Sequence, residues 1–150
     1  EDQIVLVYDT MWNATRRMAE AIAEGIGEAA PETTVKLLNT SKIDKTDVIT
    51  EVFRSKAVVM GSPTVNNGYL YSVAGILELM RGAKFKKKKA AAFGSYGWSG
   101  EAVPNLTARM QQLRLSLPLE GMRVRFCPTQ EDLAAAVQFG RDFAKAVRGE

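Results

Sequence analysis

The stretch Tyr8-Asp9-Thr10-Met11-Trp12-Asn13-Ala14-Thr15-Arg16-Arg17 lies between an apolar run, Ile4-Val5-Leu6-Val7, and a helical pattern that begins near Thr15. A strand that turns sharply into a helix leaves the first backbone N–H groups of that helix unpaired. Their partial positive charge makes a ready anion site. Thr10 and Thr15 add hydroxyl donors, and Asn13 tolerates a left-handed backbone. Arg16 and Arg17 fall in the first helical turn, where cations oppose the helix dipole. An anion seated there would account for them, and two solvated arginines are the plainer alternative. The stretch reads as a phosphate cradle, with ordinary helix capping by Thr and Asn as the competing reading.

Two further loops carry chemistry of a complementary kind. Ser62-Pro63-Thr64-Val65-Asn66-Asn67-Gly68 is rich in residues that hold turns and offer amide hydrogen bonds. Gly94-Ser95-Tyr96-Gly97-Trp98-Ser99-Gly100 combines glycines, which let backbone approach a flat ligand, with two aromatics that can cover its faces. Trp12 and Tyr69 add aromatic surface at the same end. A phosphate cradle beside two such loops describes a site for a planar heterocycle on a phosphorylated tail. In the competing reading, Tyr96 and Trp98 plug the end of a sheet and the glycines only make turns.

Composition narrows the chemistry further. The chain has 150 residues, 46% of them apolar and 25% charged, which suits one domain with a proper core. It contains no histidine, so His-based acid–base chemistry, Ser-His or Cys-His nucleophiles and His-containing metal sites are excluded. Redox chemistry would then be carried by a bound organic cofactor or by another domain. Cys127 is the single cysteine and reads as a buried, inert thiol in a reducing, cytoplasmic setting. No apolar run is long enough for a membrane span, and no secretory signal opens the chain. The net charge of +3 is mild, and without a basic stripe interleaved with aromatics it does not argue for nucleic acid.

The elements that must position these loops alternate along the chain. A first strand from Gln3 or Ile4 precedes a helix from Thr15 to about Ala29, with Met18, Ile22 and Ile26 on one face. Thr34 to Leu38 reads as a second strand, Asp44 to Arg54 as a helix, and Ala57 to Met60 as a third strand ending in Gly61-Ser62-Pro63. A helix from about Tyr71 to Arg81, a strand Ala90 to Phe93, a helix from Glu101 or Ala102 to about Leu115, a strand Met122 to Phe126 and a helix Glu131 to Val147 complete the series. Such alternation implies an α/β fold: a five-stranded parallel sheet with helices on both faces. The first, third and fourth strands are continuous apolar runs, as interior strands should be. The second and fifth include Lys36, Arg123 and Arg125, which suits edges. Order 2-1-3-4-5 satisfies both, and the three unusual loops then converge at its switch point.

The span from Ile4 to Val147 resembles the flavodoxin-like domain, and more closely the flavodoxin domain of the flavodiiron proteins. The resemblance is carried by Tyr8 to Thr15, by Gly61 to Gly68 and by Phe93-Gly94-Ser95-Tyr96-Gly97-Trp98-Ser99-Gly100-Glu101. It implies a flavodoxin-like fold and FMN as cofactor, with Thr10, Met11, Trp12, Asn13, Ala14 and Thr15 around the phosphate. It also implies Pro63, Thr64, Val65, Asn66 and Asn67 along the ribityl chain and ring edge, and Ser95, Tyr96, Gly97, Trp98, Ser99 and Gly100 along the pyrimidine side. Trp98 matches a stacking position, while Val65 falls where many flavodoxins carry a second aromatic.

In that family the domain passes electrons from a donor such as rubredoxin to a di-iron site that reduces O2 or NO. The site lies in a metallo-β-lactamase-like domain of the same protein or of a dimer mate. The histidine ligands of such a site are missing here, so residues 1–150 are expected to be a single FMN-binding domain of a longer chain, inactive on either gas by itself. A basic chain surrounds reduced flavin with fewer negative charges than the usual acidic flavodoxin and attracts a small acidic donor. Lys84 and Lys86 to Lys89 precede the fourth strand, at the amino end of the sheet and far from the flavin, and read as a solvated face. The alternatives are a free-standing flavodoxin or an FMN-dependent NAD(P)H:quinone reductase, and a flavin-free interaction module. A receiver domain is rejected, since Ser62-Pro63-Thr64 stand where it needs its phosphorylated Asp.

The resemblance further places Asn66 where flavodoxins favour glycine, at the peptide that turns toward flavin N5 on reduction. Asn enters that conformation less freely than Gly. Asn66→Gly is therefore expected to raise the yield of one-electron-reduced flavin in a redox titration, and an unchanged yield would refute this role.

Overall fold

Ile4, Leu6 and Tyr8 project to one side of the first strand and Val5 and Val7 to the other, and all are buried. A strand with both faces apolar must lie inside a sheet covered on both sides. In the computed structural model, which describes residues 2–9, 14–40, 42–63, 71–80, 88–96, 102–113, 115–125 and 128–149, that strand, β1 (Gln3–Tyr8), is followed by α1 (Ala14–Ala29), β2 (Thr34–Asn39), α2 (Lys45–Arg54) and β3 (Ala57–Pro63). Then come α3 (Tyr71–Met80), β4 (Lys89–Tyr96), α4 (Ala102–Gln112), β5 (Met122–Arg125) and α5 (Gln130–Arg148). The strands form one sheet in the order β2-β1-β3-β4-β5, with every neighbouring pair parallel. This is the expected doubly wound topology.

The period-two pattern sorts the core into two halves. Ile4, Leu6, Tyr8, Ala57, Val59, Ala91 and Phe93 pack with Met18, Ile22 and Ile26 of α1 and Ala136, Phe143 and Ala144 of α5. Val5, Val7, Val58, Met60, Ala90 and Ala92 pack with residues of α2, α3 and α4, among them Val52, Ile76, Leu77 and Leu106. The edge strand β2 is less covered, and its Lys36 reaches Glu51 of α2 at 2.8 Å. Glu51 also accepts from Gln3 Nε2 at 2.9 Å and Arg54 Nη1 at 3.2 Å, which ties the amino end of the sheet to α2.

Several boundaries differ from the sequence reading. β3 continues through Pro63 and β4 through Tyr96, because Gly61, Ser62 and Pro63 keep register with Phe93, Gly94 and Ser95. Their turn-like composition masks this pairing, and Pro63 at the last strand position needs no ladder donor. Asp44 is the N-cap of α2 rather than its first residue, its carboxylate accepting from Thr46 N–H at 3.2 Å. Thr129 and Asp132 form a reciprocal cap that starts α5 at Gln130.

The lysine run also needs correction. Lys88 is half-buried and donates to the Val52 and Phe53 carbonyls at 2.6 and 3.4 Å, and burial lowers its ammonium pKa. Lys89 donates to the Ala146 carbonyl near the end of α5. Both cations therefore add a second hydrogen bond to the Val52 and Ala146 carbonyls in the last turns of α2 and α5, which already accept from Ser55 and Gly149 N–H, instead of forming a solvated face. Lys84, Lys86 and Lys87 lie outside the described residues, as does Cys127.

Helices α1 and α5 meet through glycines. A Cβ at Gly25 would stand 1.9 Å from the Val137 carbonyl oxygen, and one at Gly140 would stand 2.1 Å from that of Ile22. A Cβ at Gly27 would meet nothing within 4 Å. Replacing an interior helical glycine by alanine gains up to about 1 kcal/mol of propensity, whereas overpacking costs about 1–3 kcal/mol. Gly140→Ala should thus lower the urea midpoint and Gly27→Ala should raise it, and the opposite order would discredit the close helix contact. The Lys36 hydrogen bond, the largest cause, holds the Glu51 pKa below the ordinary carboxylate value, with burial opposing it. A depressed folded pKa contributes stability that is present above the unfolded value, about 4.3, and is lost as pH falls through the folded one. The deficit of Glu51→Gln should be no more than about 1 kcal/mol at pH 7, given the exposure of Lys36. It should shrink in urea titrations as pH drops below about 4.3, and a deficit that grows with acid would contradict the assignment.

Candidate functional site

The chain leaves β1 for the α1–α5 side and leaves β3 for the opposite side, although β1 and β3 are neighbours in the sheet. A crevice must open between the diverging connections, outside the carboxyl ends of these two strands. The end of β1 is pinned from both sides. Thr40 N–H donates to the Tyr8 carbonyl at 2.8 Å, and Asp9 N–H donates to the Gly61 carbonyl at 3.3 Å. The Tyr8 ring is buried in the layer beneath α1, and that burial raises its phenol pKa, against the opposing charge of Arg16.

Helix α1 opens at Ala14, and its second residue, Thr15, is fully buried. No acidic residue occupies the first turn. Arg16 runs down the helix to Glu20, at 3.4 Å, and is largely exposed. Arg17 borders a groove between α1 and α5 together with Glu20, Glu24 and Gln130. The plainer reading of the arginines as surface cations is thus sufficient for their side chains, while their charge remains at the positive end of the helix.

Two glycines beneath the rim permit close approaches that the sequence reading did not single out. A Cβ at Gly61 would lie 2.1–2.4 Å from three ring carbons of Phe93, so the ring crosses the neighbouring strand. A Cβ at Gly94 would lie 2.4 Å from the Ser62 carbonyl oxygen and 3.1 Å from Val103 Cγ2, at the start of α4. Val103 also presses on Gly121, where a Cβ would lie 2.2 Å from its Cγ1. Glycine inside an apolar strand pattern was the available signal, since it marks close backbone approach.

Of the residues expected in the site, Ala14 and Thr15 are in the first turn of α1, Pro63 ends β3, and Ser95 and Tyr96 end β4. Pro63 and Ser95 are register partners, and Tyr96 stands beside Arg125 of β5. The structure therefore brings the ends of all three segments to one rim. Thr10, Met11, Trp12, Asn13, Thr64, Val65, Asn66, Asn67, Gly97, Trp98, Ser99 and Gly100 lie outside the described residues.

The described part of the rim fits the phosphate of FMN. A helix start with no acidic residue and two cations in its first turn suits a dianion. Among the described residues there is no group of three or more His, Cys, Asp and Glu that could hold a metal ion, and no helix long and apolar enough to cross a membrane.

Comparison with known proteins agrees with this geometry. The chain is 44% identical over 145 residues to the anaerobic nitric oxide reductase flavorubredoxin of Escherichia coli, covering 97% of the chain and 30% of that protein. It superposes on the rubredoxin oxygen:oxidoreductase of Desulfovibrio gigas with a TM-score of 0.93 at 32% identity, covering 99% of the chain and 37% of that structure. The flavodiiron protein of Giardia intestinalis gives 0.93 at 34% identity, covering 99% and 37%. A flavodoxin from the domain Archaea gives 0.87 at 28% identity, covering 97% of the chain and 99% of that structure. The chain thus spans about a third of the length of the larger relatives and nearly all of a flavodoxin. The Flavodoxin family model matches residues 6–140, and the chain accordingly belongs to the flavodoxin family, as an FMN-binding domain of the kind found in flavodiiron proteins.

Proposed function

We propose that this chain is the electron-relay domain of a longer flavodiiron protein, taking electrons from a rubredoxin-type donor and passing them to a di-iron site that reduces O2 or NO. That site would lie in another domain of the same protein or in a dimer mate, since a chain without histidine cannot supply ligands of that kind. The observation that carries the reading is the acid-free, doubly cationic first turn of α1 at the switch point between β1 and β3. The likeness to flavorubredoxin over 97% of the chain adds the partner half of the proposal. The setting would be cytoplasmic.

Each part of the rim then has a task. The first-turn N–H groups of α1 and the buried Thr15 hydroxyl hold the phosphate end and fix its depth. Pro63 offers no N–H and stiffens the end of β3, while Ser95 and Tyr96 carry β4 up to the pyrimidine-side loop. Thr10, Met11, Trp12 and Asn13 would complete the phosphate side, Thr64 to Asn67 the ring edge, and Gly97 to Gly100 with Trp98 the pyrimidine side and one ring face. When bound, FMN supplies electron transfer in one- or two-electron steps. The protein orients it, limits water at one edge and leaves the other open to a donor.

A free-standing flavodoxin is the second reading, favoured by the match to nearly the full length of the archaeal flavodoxin. Absorbance spectra of the purified chain with added FMN decide whether flavin is held at all, with saturation at one flavin per chain expected. The loaded chain should accept electrons from reduced rubredoxin and should not oxidise NAD(P)H alone. Steady NAD(P)H oxidation without a partner would replace the relay by a reductase, and a chain that ignores FMN would remove both readings.

A further inference from the structure

We propose that Val103, seated between Gly94 and Gly121, is a positioning residue for the ring side of the site, because it fixes where α4 begins. The inference rests on the FMN reading above, which puts Ser95 to Gly100 along the pyrimidine side of the flavin. The chain leaves β4 at Tyr96 and enters α4 at Ala102, so these two element ends set the span that the segment must cross. Val103 is the second residue of α4 and is buried in one cluster with Ala92 and Leu106.

The two methyl groups of Val103 fill two places where side chains are missing. Its Cγ2 lies 3.1 Å from where a Cβ at Gly94 would stand, and its Cγ1 lies 2.2 Å from where one at Gly121 would stand. Gly94 belongs to β4, and a side chain there would also strike the Ser62 carbonyl oxygen of β3, at 2.4 Å. Gly121 directly precedes β5, and a Cβ on it would lie 3.3 Å from the Ala92 carbonyl oxygen and 3.4 Å from Thr107 Oγ1. One side chain thus locates the first turn of α4 against both β4 and the entry to β5. A valine in a helix has one strongly preferred χ1 rotamer, so the wedge cannot swing aside without leaving it. A group added at 121 is relieved by moving Val103, and Ala102 moves with it.

The two glycines differ in a way that exposes the lock to test. At Gly94 the nearest obstacle is backbone, whereas at Gly121 it is Val103 Cγ1 itself. The same substitution at 121 should therefore change sign with its neighbour. Gly121→Ala in the wild-type chain should weaken FMN and riboflavin alike, since both carry the ring, by about tenfold, a usual scale of coupling between touching residues. Val103→Ala loosens the lock and should weaken both flavins, and in that background the methyl group at 121 refills the space and should tighten both. Flavin fluorescence quenching in the 150-residue chain gives the affinities, and circular dichroism with thermal melting shows that each variant is folded. Variants with a lower melting temperature and unchanged flavin affinities would overturn the inference and leave the FMN reading intact. So would a loss of FMN with riboflavin retained, or a double variant that binds flavin no better than Val103→Ala. Should Gly121→Ala fail to fold, the comparison of Val103→Ala with the double variant decides the matter by itself. A wild-type chain that binds neither flavin would overturn the FMN reading and this inference with it.

Discussion

The structure depends on a parallel sheet whose interior strands are apolar on both faces. Val5 and Val7 cannot be hydrated on one side while Ile4 and Leu6 are buried on the other, so helices must cover each face. Helices α1 and α5 cover one side and α2, α3 and α4 the other, which leaves only the strand ends for function. Because successive connections change sides between β1 and β3, the carboxyl ends of those strands are the one place where the covering layers part. Site position is thus a consequence of how the core is buried.

Close approach without side chains recurs at the points that position this rim. Gly25 and Gly140 bring α1 and α5 into backbone contact, Gly61 makes room for the Phe93 ring, and Gly94 with Gly121 receives Val103 at the start of α4. Each glycine sacrifices local propensity and gains a fixed distance between elements. The amino end of the molecule is secured differently, by charge. Lys88 and Lys89 donate to carbonyls in the last turns of α2 and α5, and Glu51 gathers Lys36, Gln3 and Arg54. One end is held by ion pairs and hydrogen bonds, and at the other the ends of β3 and β4 meet the start of α1.

This division suits an electron-transfer domain. The fold matches a flavodoxin of nearly equal length, while the larger relatives contain this unit as about a third of their chains. The same fold can therefore work as a diffusible carrier or as a fixed relay, and what distinguishes them is the attached or docked partner.

The apolar pattern gave the strands and helices to within a few residues, and with the charged edges of β2 and β5 the order 2-1-3-4-5 and the rim on which Thr15, Pro63 and Ser95 meet, because burial on two faces makes β1, β3 and β4 continuous apolar runs and burial on one face writes a helical period into α1. The resemblance of the loop motifs supplied FMN. Composition misled where it resembled a turn, as at Gly61-Ser62-Pro63 and Gly94-Ser95-Tyr96, whose pairing depends on a neighbouring strand remote in sequence. It misled again at Lys88 and Lys89, since a run of cations looks solvated until α2 and α5 bring their carbonyls to it. Only the tertiary structure decided that Phe93 lies across Gly61 and that α1 is clamped on α5, because such contacts arise from the relative placement of elements, which no local pattern encodes.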